Sequence, residues 1–208
     1  MFVAVHFSRT ENMSNAPIRF RFNARKAAEA ANLLLLRSGG RRNYMELVKL
    51  LCLADREALI RFESPITGDR VAALPHGLIL SRILNLIRFG PANEEDAPWF
   101  DVVSAPEGYS VRSLKEIENE ELSSAEEKLL DEVFERYGKM DWKQLSRLTH
   151  SLPEWTDPGG GSIPVSPEQI LLLAGKQPDE IERIGSEIRA YERLDQELAS
   201  YCVESKED

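Results

Sequence analysis

The stretch Tyr44–Gly77, YMELVKLLCLADREALIRFESPITGDRVAALPHG, holds most of the chain's specific polar residues and sets expectations for the segments around it. Its first part, 44–62, places Leu47, Val48, Leu50, Leu51, Cys52, Leu53 and Ala54 in close succession, which makes a helix apolar over much of its circumference. A helix of that kind is covered by other helices rather than laid on a surface. Its polar residues are therefore the informative ones. Lys49, Arg56 and Glu63 recur at heptad spacing and share a narrow face, with Asp55 about a hundred degrees away from Arg56. Charges on a covered helix cost desolvation energy unless each finds a partner. Two readings follow: the charges pair within the fold and fix how the next segment docks, or some of them face a binding partner.

That next segment opens with Pro65, which cannot continue a helix, and its Gly68-Asp69 pair suits a tight turn. Val71–Leu74 reads as a short apolar link. Pro75, His76 and Gly77 read as the opening of a helix over 78–88, whose Leu80, Ile83, Leu84 and Ile87 recur at helical spacing. His76, beside that helix start, reads as a hydrogen-bonded structural group rather than a catalyst or a ligand.

Working outward, 23–37 is rich in alanine and leucine, with Asn23 as N-cap and Ser38, Gly39 and Gly40 as the stop, so a helix is expected. Downstream, 90–98 is a linker, and Trp99–Val103 with Tyr109–Arg112 reads as a β-hairpin around 105–108. Ser123 or Ser124 with Glu126 or Glu127, and then Asp141 with Gln144, are capping boxes for helices reaching Tyr137 and His150. The glycines at 159–161 make a flexible joint. Ser166-Pro167 starts another short helix, and Pro178-Asp179 starts a long one running to about Cys202. In the last, Ile181, Ile184, Ile188 and Tyr191 follow a three-then-four spacing. That stripe either packs on its own domain or docks a partner as an amphipathic helix.

Composition excludes several classes. Of 208 residues 42% are hydrophobic and 29% charged, so the chain is expected to fold rather than stay disordered. No apolar run approaches the roughly 18 residues a spanning helix needs. Met1–Val5 is too short for a signal-peptide core, and a cytoplasmic location with no membrane partner is expected. Met13 is an alternative start. Cys52 and Cys202 form neither a disulfide framework nor a metal spacing. There is no HExxH, GxSxG or phosphate-cradling glycine loop, so neither catalysis nor a cofactor or metal is expected. The net charge of −9 is polarised: residues 1–93 carry 14 Lys and Arg against 7 Asp and Glu, and residues 94–208 carry 12 against 28. The halves either neutralise each other or meet oppositely charged partners. Arg19, Arg21, Arg25, Lys26, Arg37, Arg41 and Arg42 raise nucleic acid as a secondary partner, although no helix-turn-helix or zinc module accompanies them.

Four blocks in fixed order carry a resemblance: Lys49-Leu50-Leu51, Ala54-Asp55-Arg56, Pro65-Ile66-Thr67-Gly68-Asp69 and Ala73-Leu74-Pro75-His76-Gly77. Together they resemble the Panacea domain, the SocA-like family of bacterial and phage antitoxins, with its KLLYFADRE-type helix, PITGD-type turn and PHGP-type helix start. Leu78 departs from the family's usual proline. His150 followed by Trp155 resembles the end of the family's domain. The resemblance implies a mainly α fold: a helical Panacea-type domain over 23–157 with a small β-hairpin, preceded by an N-terminal tail, 1–22, and followed by a linker and C-terminal helices, 158–208. It implies an antitoxin that neutralises a cognate protein toxin by direct protein–protein binding, with delivery of the partner to a cellular protease as a neighbouring role. Lys49, Asp55, Arg56, Thr67, Gly68, Asp69, Pro75, His76 and Gly77 are then signature residues, structural or toxin-facing. The hairpin, the linker and the C-terminal helix are where partner choice is expected.

Overall fold

The computed structural model describes residues 16–118 and 120–204. The chain divides into two compact units, 19–175 and a smaller one in which 16–18 joins 176–204. The first fifteen residues, most of the expected tail, lie outside the described residues. Eight α-helices and five short strands are present among those described, a mainly α architecture with small antiparallel sheets.

In the larger unit, α1 (Ala24–Arg37) is capped by Asn23, whose side chain accepts the Lys26 N–H, and it buries an alanine-rich face ending in Leu34 and Leu35. Strand β1 (Arg41–Asn43) leads into α2 (Tyr44–Phe62), capped in turn by Asn43. Its apolar circumference does what the residues require: Leu47 to Asp55 are buried without a break, and other elements cover the helix on several sides. Strands β2 (Val71–Leu74) and β3 (Gly77–Leu80) form an antiparallel hairpin, followed by α3 (Ser81–Phe89) and the short α4 (Ala97–Phe100). Strand β4 (Ser110–Arg112) returns to pair with β1 in the register Arg42 to Val111. Helices α5 (Ser124–Tyr137) and α6 (Trp142–His150) each start on a complete capping box, Ser123 with Glu126 and Asp141 with Gln144. Strand β5 (Ile163–Val165) pairs with β2, and α7 (Pro167–Leu173) follows from the Ser166 cap. In the smaller unit, α8 spans Pro178–Glu204.

Three expectations change. Residues 77–80 are a strand, not the first turn of a helix: the two-residue Pro75-His76 turn folds Gly77–Leu80 back onto Val71–Leu74, and the helix begins only at Ser81. The expected hairpin of 99–103 with 109–112 does not form as such. Trp99 sits in α4 and is fully buried, and the chain folds back only from 102 onward, where Val103 bridges Ser113, Glu107 and Ser110 exchange backbone hydrogen bonds and the Arg112 carbonyl accepts the Ser104 N–H, while the other edge of Ser110–Arg112 pairs with β1. The compact unit also runs past the expected boundary at 158. The free edge of β2 takes β5 as a third strand, and Ile170 and Leu171 of α7 are buried.

The polarised charge is folded back on itself. Arg21, Arg25, Lys26, Arg37 and Arg41 pair with Glu95, Glu120, Glu126, Asp131 and Glu107, and Arg42 pairs with Glu46. Farther on, Arg61 pairs with Glu132 and Arg82 with Asp96. The exposed pairs, such as Arg21 with Glu95 and Arg25 with Glu120, act mainly on the surface field, whereas Arg42 with Glu46 and Arg82 with the buried Asp96 are screened less by water. Most of the basic cluster that raised nucleic acid as a partner is thereby neutralised.

Glu29, fully buried on α1, was not singled out by sequence pattern. Its Oε2 accepts the backbone N–H groups of Glu121 and Leu122, at 2.9 and 3.1 Å, and so holds the loop that leads to α5. Glu29→Ala leaves both donors without that acceptor and is expected to lower the unfolding free energy by about 1–3 kcal/mol, read from urea denaturation. Glu29→Gln, which keeps an accepting oxygen, is expected to lose clearly less.

Candidate functional site

The signature residues of α2 anchor three separate hydrogen-bonded groups around the helix, centred on Asp55, Lys49 and Arg56. Asp55, fully buried near the middle of the helix, accepts the Thr67 N–H on Oδ1 at 3.0 Å and the Thr67 hydroxyl on Oδ2. Thr67 Oγ1 in turn accepts the Asp69 N–H at 3.1 Å. The Asp69 carboxylate accepts the N–H groups of Arg82 and Ile83, at 2.9 and 2.8 Å, as well as that of Arg70. It therefore caps α3, whose own N-cap position is Leu80 and offers no side-chain acceptor. Free N–H groups at a helix start need such an acceptor, and a carboxylate there also meets the positive end of the dipole. Thus the turn after α2 is fastened at both ends, to α2 through Asp55 and to α3 through Asp69.

Gly68 lies between these two fastenings with φ +69°, and a Cβ there would stand 2.1 Å from the Arg21 carbonyl oxygen. The Thr67 carbonyl also accepts the Asn23 N–H at 3.0 Å, so the same turn anchors the start of α1.

Lys49, two helical turns earlier, is 0% exposed. Its ammonium donates to the His76 carbonyl at 2.6 Å, to Thr149 Oγ1 at 3.0 Å and, at longer range, to the Leu78 carbonyl. The Thr149 hydroxyl can donate onward to the Leu145 carbonyl at 3.0 Å. Three oxygens around a primary ammonium satisfy all of its donors, which is what allows a lysine to be buried. Lys49 thus pins the β2–β3 turn from beneath while the Pro75 and His76 side chains stay exposed. Arg56 makes a two-point contact with the fully buried carboxylate of Glu154. Next to it, Trp155 Nε1 donates to the Leu74 carbonyl at 3.1 Å, and its ring stacks on His150 at 4.1 Å.

The network involves Lys49, Asp55, Arg56, Thr67, Asp69 and the His76 carbonyl, with Gly68 and Gly77 closely approached by neighbouring atoms, while Pro75 lies exposed in the turn. It also includes Thr149 and Glu154, which sequence pattern did not single out, because nothing in their spacing links them to a helix a hundred positions earlier. The prospective partner-binding residues lie elsewhere, on α8. Of these, Ile184 is 1% exposed, Ile181 and Ile188 are half-buried, and Tyr191 is exposed.

Burial shifts the ionisable groups in the expected directions. Desolvation pushes the Asp55 carboxyl up from 3.8 to about 7, and pushes Asp69 up as well, against their hydrogen bonds. It brings the Lys49 ammonium down from 10.5 to about 8. Among the described residues, no group of three His, Cys, Asp or Glu is arranged to hold a metal ion, and no helix is long and apolar enough to cross a membrane.

The family model described as "Antitoxin SocA-like, Panacea domain" matches residues 47–156, which takes in every member of this network from Lys49 to Trp155. No curated protein and no solved structure gives a significant match.

The Asp55 shift has a definite sign in stability. A folded-state value above the unfolded one means that the folded chain holds the proton more tightly, so this contribution is complete below about pH 4 and is lost as pH rises to about 7. Asp69 acts in the same direction. Asp55→Asn keeps an acceptor for the Thr67 N–H and removes the titration, so its urea midpoint is expected to fall less between pH 4 and 7 than that of the wild type. Equal slopes would contradict this assignment. Gly77→Ala is expected to cost more than about 2 kcal/mol by thermal or urea denaturation. Gly77 has φ +97°, and its Cβ would stand 2.1 Å from Thr149 Oγ1 and 3.1 Å from Lys49 Nζ, displacing the hydroxyl that holds the ammonium.

Proposed function

The chain belongs to the SocA-like Panacea family of antitoxins, and on that premise we propose that it neutralises a cognate protein toxin by binding it directly in the cytoplasm. The observation that carries the proposal is the family match itself, whose stretch, 47–156, contains both ends of the long-range contacts Lys49 to Thr149 and Arg56 to Glu154.

The network also supports action by binding rather than by catalysis. Lys49, Asp55, Asp69 and Glu154 are all buried and committed to backbone or side-chain partners, so these four ionisable groups are spent on the fold. General acid–base catalysis needs such a group within reach of a substrate. What the signature leaves for a partner is surface, and a protein inhibitor needs surface.

The test is co-expression of the gene immediately beside this one, with and without this chain. Growth arrest by the neighbour alone, relieved when this chain is present, is expected. Its amount on an immunoblot should stay constant under relief, as a direct block requires, whereas falling levels would point to delivery to a protease. A harmless neighbour, or toxicity that this chain does not relieve, would show the antitoxin reading to be wrong.

A further inference from the structure

The C-terminal helix α8 lies wholly outside the family-matched residues, and it changes character along its length. Its first half is built into the smaller unit. There Ile184 is buried and Ile181 and Ile188 are half-buried. A Cβ on Gly185 would meet the Ile18 side chain at 3.2 Å, and the Arg189 guanidinium donates to the Ala16 carbonyl at 2.9 Å. Beyond Arg189 the same apolar stripe continues as Tyr191, Leu194 and Leu198, which are 71%, 51% and 55% exposed. At about 100° per residue these three fall within an arc of about 60°, in line with Ile184 and Ile188. One stripe thus serves the fold at one end and stands open at the other.

The charge of the helix says what covers the open end. α8 carries eight Asp and Glu against three Arg. Pairing with α8 of a second copy would set two strongly acidic helices side by side, and like charges at that distance oppose association. The open stripe is short, about 10 Å of helix, so it serves as one anchor within a larger interface rather than as a whole one. An acidic helix with a narrow apolar ridge instead complements an apolar groove rimmed by Lys and Arg, in the helix-in-groove mode.

We infer that the distal half of α8, through Tyr191, Leu194 and Leu198, is a docking ridge for the toxin, which presents to it a basic-rimmed apolar groove. This rests on the antitoxin reading and places part of partner choice in an extension outside the family domain. The ridge acts as an anchor of two or three large side chains, and the acidic flanks speed and orient encounter.

The experiment uses the full-length chain with Tyr191→Ala, Leu194→Ala and Leu198→Ala combined, and the purified product of the adjacent gene as the probe. Because all three side chains are exposed, the thermal midpoint of the variant is expected to match that of the wild type. Its dissociation constant for the neighbour's product is expected to rise at least about tenfold. For the wild type, the association rate is expected to fall as salt is raised from about 50 to 300 mM, as screening of a charged encounter requires. A variant that binds as tightly as the wild type overturns the inference while leaving the antitoxin reading intact. So does a wild-type chain that sediments as a dimer and a variant that sediments as a monomer, since the ridge would then belong to a second copy. A wild type that binds the neighbour's product with no measurable affinity overturns both.

Discussion

Burying a charge requires that it be fully hydrogen-bonded, and the larger unit is arranged around meeting that requirement on α2. Lys49 and Asp55 sit on a helix that other elements cover on several sides, so neither can turn to water. An unpartnered ion there would be strongly destabilising, which means that only arrangements supplying the right oxygens and N–H groups are compatible with the fold. Asp55 selects the position of Thr67, Thr67 that of Asp69, and Asp69 the start of α3. Lys49 selects the height of the Pro75-His76 turn and the register of α6 through Thr149. The apolar residues of α2 supply driving force without direction, and its charges supply direction.

This division of labour accounts for a family signature that looks catalytic and is structural in its contacts. Aspartates, a lysine, a histidine and invitingly placed glycines lie within one stretch, yet the glycines are there for close approach and the charges for docking. The neutralised surface of 19–175 and the acidic, partly open α8 are distinct in chemistry. The first is a scaffold whose charges are largely spent on one another, and the second retains both charge and exposed apolar area.

How much of this was legible in the sequence follows from the range of each interaction. Caps are local, so Asn23, Ser123 with Glu126 and Asp141 with Gln144 could be read directly, and they start helices where expected. The stretch 77–80 misled because Leu80, Ile83, Leu84 and Ile87 do keep helical spacing, while the true N-cap acceptor, Asp69, lies more than ten positions upstream. A two-residue Pro-His turn between two apolar runs was the signal for a hairpin. Trp99–Val103 misled because strand-forming residues there are used to bury Trp99 from a short helix. At the candidate site, the members within 49–77 were recognisable as a set. Thr149 and Glu154 were not, since a single hydroxyl and a single carboxylate far away carry no periodic mark.

The distance between Lys49 and Thr149, and between Arg56 and Glu154, also bears on how the chain comes into being. A ribosome adds about 5–20 residues per second, so the two cations exist for about 5–20 s before their partners are made. During that interval α2 has its apolar residues but lacks two of the contacts that hold its charges in place. The domain therefore reaches its native core late in synthesis, with the arrival of 149–155, and not piece by piece as each helix emerges. The contacts that hold Lys49 and Arg56 are thus completed by the last part of the family-matched stretch to be synthesised.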